Sequence, residues 1–158
     1  LCCAAAAEEA MDRRSARREA FCLAFEYGFD SARTADELLS LAADARDLAA
    51  DEYVTELLRL LTAHADQIDD AIRPWLKGWK LERISRVARA VLRVAVCEIL
   101  YMPEIPGSVS INEAVELAKE YGDEQDASFV NGVLGSLVRA EAAPEPAAPS
   151  GLGQAEPK

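Results

Sequence analysis

The chain has 158 residues, with 17 Lys and Arg against 28 Asp and Glu, so its formal charge is −11 and its pI is near 4.6. A chain of this length forms one domain, or two small subdomains that share a core. The acidic total by itself argues against a nucleic-acid binder, because an acidic surface repels phosphate on average. No apolar run reaches the roughly 18 residues that a membrane-spanning helix needs.

The two ends of the chain differ in composition from its middle. Residues 1–10 are rich in Ala, lack a basic leader and precede Met11, which is either the natural start or the end of a true N-terminal tail. Residues 141–158 hold four of the seven prolines, a composition that cannot pack a core. We expect an N-terminal extension over 1–11, a folded domain over 12–140 and a disordered tail over 141–158.

The first half of the middle region shows helical periodicity and no convincing strand pattern. Apolar residues at helical spacing predict a first helix over about residues 14–29. Thr34 and Glu37 form a capping box, which predicts the start of a short second helix. Asp51 is a candidate cap for a third helix, which continues with a bend into a fourth that ends near Pro74.

The second half is more regular. A fifth helix is predicted over about residues 84–101, and Ser110 with Glu113 forms a second capping box, which predicts the start of a sixth helix. Gly122 is a good stop for that helix, and Asp126 is a candidate cap for a seventh. The sequence therefore predicts an all-α fold of about seven helices in two small packed subdomains.

Positive charge is concentrated in two stretches, and this segregation reverses the inference drawn from the total charge. Residues 13–18 carry four arginines and no acid, and residues 73–93 carry seven basic residues and one acid. These stretches total +4 and +6, which leaves −21 for the remainder. The arginines of the fifth helix fall within an arc of about 120° opposite its apolar face: they are Arg83, Arg86, Arg89 and Arg93. This arc is a candidate phosphate-binding face, the alternative being a solvated face paired with neighbouring acids.

Other candidate chemistry is weak. His64 lies near three aspartates, Asp66, Asp69 and Asp70, a group that suits the polar face of a helix better than a metal site. Glu98 falls on the apolar side of the fifth helix, which predicts a buried acid paired with an arginine or a backbone amide. No glycine-rich phosphate loop, nucleophile elbow or pair of catalytic carboxylates is present in the sequence, so we expect no enzyme and no cofactor.

The cysteines give no sign of a disulfide framework or a zinc site. Cys2, Cys3, Cys22 and Cys97 form no C-x-x-C pair, and His64 is the single histidine. This usage fits a reducing cytoplasm. Cys97 lies near the basic side of the fifth helix on a helical wheel, which predicts partial exposure.

Three blocks and the arginine-rich opening of the chain occur in a characteristic order. After the opening at residues 13–17 come A-V-L-R-V-A-V-C-E-I-L at 90–100, I-N-E-A-V-E-L-A-K at 111–119 and F-V-N-G-V-L at 129–134. Together they resemble the NusB family of bacterial transcription antitermination factors, over about residues 12–139. The stretch 31–70 matches that family only in pattern.

The resemblance implies an all-helical, non-enzymatic protein that binds the boxA element of ribosomal RNA leaders. Its partner would be NusE, a small-subunit ribosomal protein, and the pair would join the antitermination complex on RNA polymerase and suppress premature termination. Glu113 and Glu116 are the expected NusE-binding residues, because acids suit a basic partner. The expected RNA-binding residues, arginines and Lys through phosphate and rings through stacking, are Arg13, Arg14, Arg17, Arg18, Phe25, Arg86, Arg89, Arg93, Lys119 and Phe129.

The chain departs from the family pattern in places, and other readings stay open. Gly107 and Ser108 replace a common Tyr-Lys pair, Cys97 a common Tyr, and Arg18 a common Glu. One alternative is the NusB-like RNA-binding domain of a ribosomal RNA methyltransferase, and another is a helical protein-binding adaptor. Some members of the family also self-associate, and the sequence does not decide whether this chain forms a homodimer.

Overall fold

The computed structural model describes residues 12–46 and 51–142 of the chain. These ranges contain seven α-helices, two short 3-10 turns and no strand, which confirms the expected all-α fold. The predicted extension over 1–11 and most of the tail predicted over 141–158 lie outside the described residues. The helices are α1 (Arg13–Phe29), α2 (Ala35–Arg46), α3 (Glu52–Ala63), α4 (Ala65–Ile72), α5 (Arg86–Tyr101), α6 (Gly107–Tyr121) and α7 (Glu124–Ala142), and the 3-10 turns are Arg73–Trp75 and Leu81–Arg83.

Side-chain caps fix the starts of the first three helices. The Asp12 carboxylate accepts the Ser15 backbone N–H at 2.9 Å, and so begins α1. At α2 the predicted capping box is confirmed, because the Glu37 N–H donates to Thr34 Oγ1 at 3.1 Å and the Thr34 N–H donates to Glu37 Oε1 at 2.8 Å. Asp51 caps α3 as predicted, through two backbone N–H groups of its first turn.

The starts of α5 and α6 differ from the sequence-based prediction. Helix α5 begins at Arg86, because Ser85 caps it by accepting the Ala88 N–H at 3.0 Å, so the predicted start at residue 84 was two residues early. Helix α6 begins at Gly107, directly after Pro106 in extended conformation. The capping box predicted at Ser110 is therefore wrong, since Ser110 already lies inside the helix and is buried.

The start of α7 also lies earlier than predicted. The capping residue is Asp123, whose carboxylate accepts the backbone N–H of Asp126 at 2.8 Å. Asp126, the predicted cap, is therefore already in the first turn of the helix. The Asp126 side chain instead accepts a hydrogen bond at 3.0 Å from the Ser85 hydroxyl, which links the starts of α5 and α7. Helix α7 extends to Ala142, two residues past the predicted end of the folded domain.

Helix α5 is the centre of the packing. It contacts α1, α3, α4, α6 and α7, and each of its residues from Ala90 to Glu98 is buried. Leu92 on α5, Leu57 on α3 and Leu134 on α7 are fully buried, and each such side chain contributes about 1.5–3 kcal/mol to folding. None of the helices in the described ranges is long and apolar enough to cross a membrane.

Cys97 is one of these buried α5 residues, and the expectation of partial exposure is wrong. Its side chain is 0% exposed and its Sγ lies 3.7 Å from the backbone carbonyl of Leu57. Burial, followed by the charge of Glu98, raises the pKa of the Cys97 thiol to about 12. The helical wheel failed because α3 covers the side of α5 on which Cys97 lies.

Candidate nucleic-acid interface

The first turns of α1 carry the arginine-rich opening and lie beside α6. Arg14 donates two hydrogen bonds to the Glu113 carboxylate, from Nε at 3.1 Å and from Nη2 at 2.9 Å. Arg18 donates from Nε to Glu120 at 3.0 Å. The hydrogen bonds and charge of Arg14 hold the pKa of Glu113 below its usual value. Both arginines keep large exposed fractions, 62% and 43% of their side chains, so solvent and ligands reach them.

Arg13 is exposed and makes no ion pair within the described ranges. Its guanidinium lies 4.7 Å from the centroid of the Tyr53 ring on α3, a cation–π contact that leaves its N–H groups available. Arg13 is thus the arginine of the opening whose charge no described carboxylate neutralises.

Arg17 lies one helical turn beyond Arg13, points into the core and is 4% exposed. Its Nε and Nη2 donate to Glu98 at 2.6 and 3.2 Å. The hydroxyls of Tyr53 and Ser110 donate to the same carboxylate, the latter at 2.6 Å, and Glu98 is 0% exposed. Burial alone would lower the pKa of Arg17, but the hydrogen bonds and charge of Glu98 outweigh it and raise that pKa. The predicted pairing of a buried Glu98 with an arginine is confirmed.

The arginine arc on α5 is only partly open to solvent. Arg86 is exposed, with its guanidinium 4.4 Å from the centroid of the exposed Phe29 ring. Arg89 is half-buried, and its Nε has no hydrogen-bond partner among the described residues. Burial together with the charge of Arg93 lowers the pKa of Arg89. Arg93 is 5% exposed and donates to both oxygens of Asp69 on α4, at 2.9 and 2.7 Å. The solvent-facing arc therefore ends at Arg89.

Two aromatic residues of the predicted interface are half-buried. Phe25 lies between two other rings of α1, 6.0 Å from Phe21 and 5.1 Å from Phe29 by ring centroids. Phe129 lies near the start of α7 and lines a cavity with Trp79. Each ring keeps part of its surface open, so it could stack on an unpaired base.

An open groove of about 660 Å³ lies between α1, α6 and α7. It brings two predicted RNA-binding residues and the two predicted partner-binding acids onto one surface. Lys119 and Glu116 are both exposed there, whereas Glu113 is bonded to Arg14. The polar residues that line the groove include Arg14, Asn112, Glu113, Glu116, Lys119 and Asn131.

Sequence reasoning missed the carboxylates that pair with the arginines and one exposed ring. Asp69 and Glu120 are far in sequence from Arg93 and Arg18, so no local pattern marks them. Trp79, 61% exposed, stands out in the sequence as an aromatic residue between Lys77 and Lys80, but helical periodicity gives no signal in a turn. His64 stacks on Tyr101 at 4.3 Å, and no group of acids, His and Cys in the described residues has metal-binding geometry.

Comparisons with known proteins agree on one family. The model of the NusB family matches residues 14–139. The transcription antitermination protein NusB of Bacillus mycoides (strain KBAB4) is 44% identical over 131 residues, which are 80% of this chain and 97% of the relative.

Solved structures give the same result. NusB of T. maritima superposes with a TM-score of 0.73 and 33% identity over 86% of this chain and 96% of its own. A chain of the crystal structure of antitermination factors NusB and NusE in complex with dsRNA gives a TM-score of 0.72 and 27% identity over 81% and 96%. From the matched sequence, the shared fold and the arginine-rich first helix, this chain belongs to the NusB family.

Proposed function

We propose that this protein is a transcription antitermination factor. It binds boxA-type RNA of ribosomal RNA leaders together with NusE and, within the RNA polymerase antitermination complex, suppresses premature termination. The role is one of binding rather than catalysis, and its place is the cytoplasm, where nascent RNA is made. Family membership supports this proposal, as do the name of the Bacillus mycoides relative and the solved complex of NusB, NusE and dsRNA.

The observation that carries the proposal is the presence, on neighbouring helices, of guanidinium groups without a carboxylate partner and of partly exposed aromatic rings. Arg13 and Arg86 are exposed and have no carboxylate partner among the described residues. Phe25 lies on α1 with Arg13, and Phe129 lies on α7, which packs against the helix of Arg86. Each ring is half-buried, so part of its surface is open. Single-stranded RNA is bound by this combination, in which cations contact phosphates and aromatic side chains stack on bases.

The ten predicted RNA-binding residues divide into two groups by burial. Arg17 and Arg93 are bonded inward to Glu98 and Asp69, so we assign them a positioning role in which they hold α1 and α5 in place. The others can reach RNA directly, with Arg14 and Arg18 exchanging a carboxylate for a phosphate. The direct group is Arg13, Arg14, Arg18, Phe25, Arg86, Arg89, Lys119 and Phe129.

NusE is proposed to bind on the α6 side of the groove. Glu116 is exposed and makes no ion pair with a described residue, so its charge is available to a basic protein. Glu113 is available only after Arg14 releases it. Binding of RNA phosphate by Arg14 and binding of NusE by Glu113 would then support each other, because each breaks the same ion pair.

The proposal is tested by titrating labelled boxA RNA and a scrambled RNA of equal length, with and without NusE, between about 50 and 200 mM salt. We expect NusE to tighten binding to boxA and not to the scrambled RNA. Arg86→Ala should lower the salt slope by about 0.7, the value for one single-strand phosphate contact. Arg59→Ala is the matched control, because Arg59 is also an exposed arginine but pairs with Asp36 on α2. Equal binding of both RNAs in the presence of NusE would contradict the proposal.

A further inference from the structure

The segment 76–80, which connects the two 3-10 turns, makes a tight bend that exposes the indole ring of Trp79. Lys77 and Gly78 both have positive φ, 53° and 93°, and the left-handed conformation is uncommon for a lysine. The Trp79 N–H donates to the Leu76 carbonyl at 3.2 Å, and the flanking Leu76 and Leu81 are buried. The turn is therefore anchored in the core on both sides, and it holds Trp79 in solvent with 61% of its surface exposed.

Trp79 forms one wall of a cavity of about 430 Å³ between this turn, the start of α5 and the start of α7. Phe129 lines the same cavity from α7, and Ile84 and Ala88 supply further apolar surface. The cavity thus carries two aromatic rings from two separate elements. A volume of this order admits a flat heteroaromatic ring.

The polar groups of the cavity complement the edge of a base. Asp126 accepts a hydrogen bond from Ser85 at 3.0 Å, which fixes its carboxylate at the cavity wall. An ionised carboxylate only accepts hydrogen bonds, so it favours bases that carry an exocyclic amino group. Gln125 and Ser128 lie beside it on α7 and can both donate and accept.

Arg83 lines the cavity, and the turn that carries Trp79 adds two lysines beside it. Lys77, Lys80 and Arg83 are exposed and make no ion pair within the described ranges. Glu82, the acid among them, accepts a hydrogen bond from Arg73 at 3.5 Å. These three cations outnumber Asp126, the acid that lines the cavity, so the local charge attracts phosphate and favours RNA over NusE as the occupant.

We propose that this cavity, bounded by Trp79 and Phe129, binds one unstacked base of the RNA, with Asp126 favouring the bases that carry an exocyclic amino group, adenine, cytosine and guanine, over uracil. The inference rests on the proposed function and extends the RNA surface to the turn at Lys77–Gly78. Trp79 stacks on the base, and Arg83 contacts an adjoining phosphate.

The test uses the two tryptophans of the chain, Trp75 and Trp79. In a Trp75→Phe protein the indole emission reports Trp79 alone, and we expect boxA RNA to quench it. Trp79→Ala should weaken RNA binding by about fivefold to about 140-fold without changing the salt slope, whereas Trp79→Phe should retain most of the affinity. Leu41→Ala is the control, because Leu41 is an apolar residue on α2 that is 45% exposed and does not line the cavity.

Base preference is tested with short oligo-A, oligo-C and oligo-U. The wild-type protein should bind oligo-A and oligo-C more tightly than oligo-U. Asp126→Asn should reduce this difference in affinity, because the amide can donate a hydrogen bond to a uracil carbonyl.

Three outcomes would overturn the inference. RNA affinity of Trp79→Ala within twofold of the wild type would show that the cavity takes no base, while the proposed function would stand if boxA binding still depended on NusE. Loss of NusE binding by Trp79→Ala with RNA binding unchanged would make the cavity a protein site. Absence of RNA binding by the wild-type protein would contradict both the inference and the proposed function.

Discussion

The two basic stretches of the chain differ in how much of their charge is available. In residues 13–18, Arg14 and Arg18 pair with acids of α6, and Arg17 pairs with Glu98, which leaves Arg13 without a described carboxylate. In residues 73–93 most of the basic side chains have no ion-pair partner in the described ranges; these are Lys77, Lys80, Arg83, Arg86 and Arg89. Similar charge in the sequence therefore produces different electrostatic surfaces.

The difference matters for how each stretch would bind phosphate. At α1 a phosphate that binds Arg14 or Arg18 must displace a carboxylate, and the released carboxylate then attracts counterions itself. At the second stretch phosphate meets arginines and lysines that pair with no described carboxylate. The second stretch should thus contribute more to the salt dependence of RNA binding than the first.

The largest expected effect comes from breaking the inner pairing of α1. Glu98→Ala leaves Arg17 buried without its partner, and we expect the free energy of unfolding to fall by about 3–5 kcal/mol. Urea denaturation measures this change. Glu116→Ala removes an exposed acid and should stay within about 0.5 kcal/mol of the wild type. A loss for Glu98→Ala no larger than that of the control would show that the network adds no stability.

The comparison of the two stretches is sharpened by a pair of arginine variants. Arg86→Ala should reduce the salt slope of RNA binding by about 0.7, and Arg14→Ala should reduce it by less, because phosphate there replaces Glu113. Binding isotherms over a salt series give both slopes. Equal reductions would mean that the Arg14–Glu113 pair does not compete with RNA.

A smaller effect, in the opposite direction, is expected from removing the competing acid. Glu113→Gln frees Arg14 and should tighten the binding of RNA without NusE by at most about fivefold, as suits an exposed ion pair. Glu116→Gln is the matched control on the same helix. RNA titration at low salt compares the two variants. Weaker RNA binding by Glu113→Gln than by the wild type would contradict competition between Glu113 and phosphate for Arg14.

The smallest expected effect is on stability at acid pH. Arg14 lowers the pKa of Glu113 from its ordinary value of 4.5, so the stabilisation is complete above that value and is lost as pH falls through the lower pKa of the folded state. The difference in melting temperature between the wild type and Arg14→Ala should therefore shrink between about pH 6 and pH 3. A constant difference would mean that Arg14 stabilises the fold by contacts other than its ion pair.

Local signals in the sequence predicted the helices well and the arginine partners poorly. The caps at Thr34 and Asp51 were predictable because the bonding groups lie within three residues of each other. The S-x-x-E pattern at Ser110 misled, because the same spacing occurs inside a helix that Pro106 has already begun. A helical wheel shows one helix alone, so it could not show that α4 brings Asp69 to Arg93.

The carboxylate of Glu98 connects helices from the first and second halves of the sequence. Glu98 on α5 receives hydrogen bonds from α1, α3 and α6 through Arg17, Tyr53 and Ser110. Detaching any of these helices leaves a charged group or a hydroxyl unpaired in the core. The free-energy cost of opening one helix alone is therefore high. Amide hydrogen exchange at the buried turns of α1 and α6 should therefore proceed through one shared opening, and the two predicted subdomains should act as a single cooperative unit.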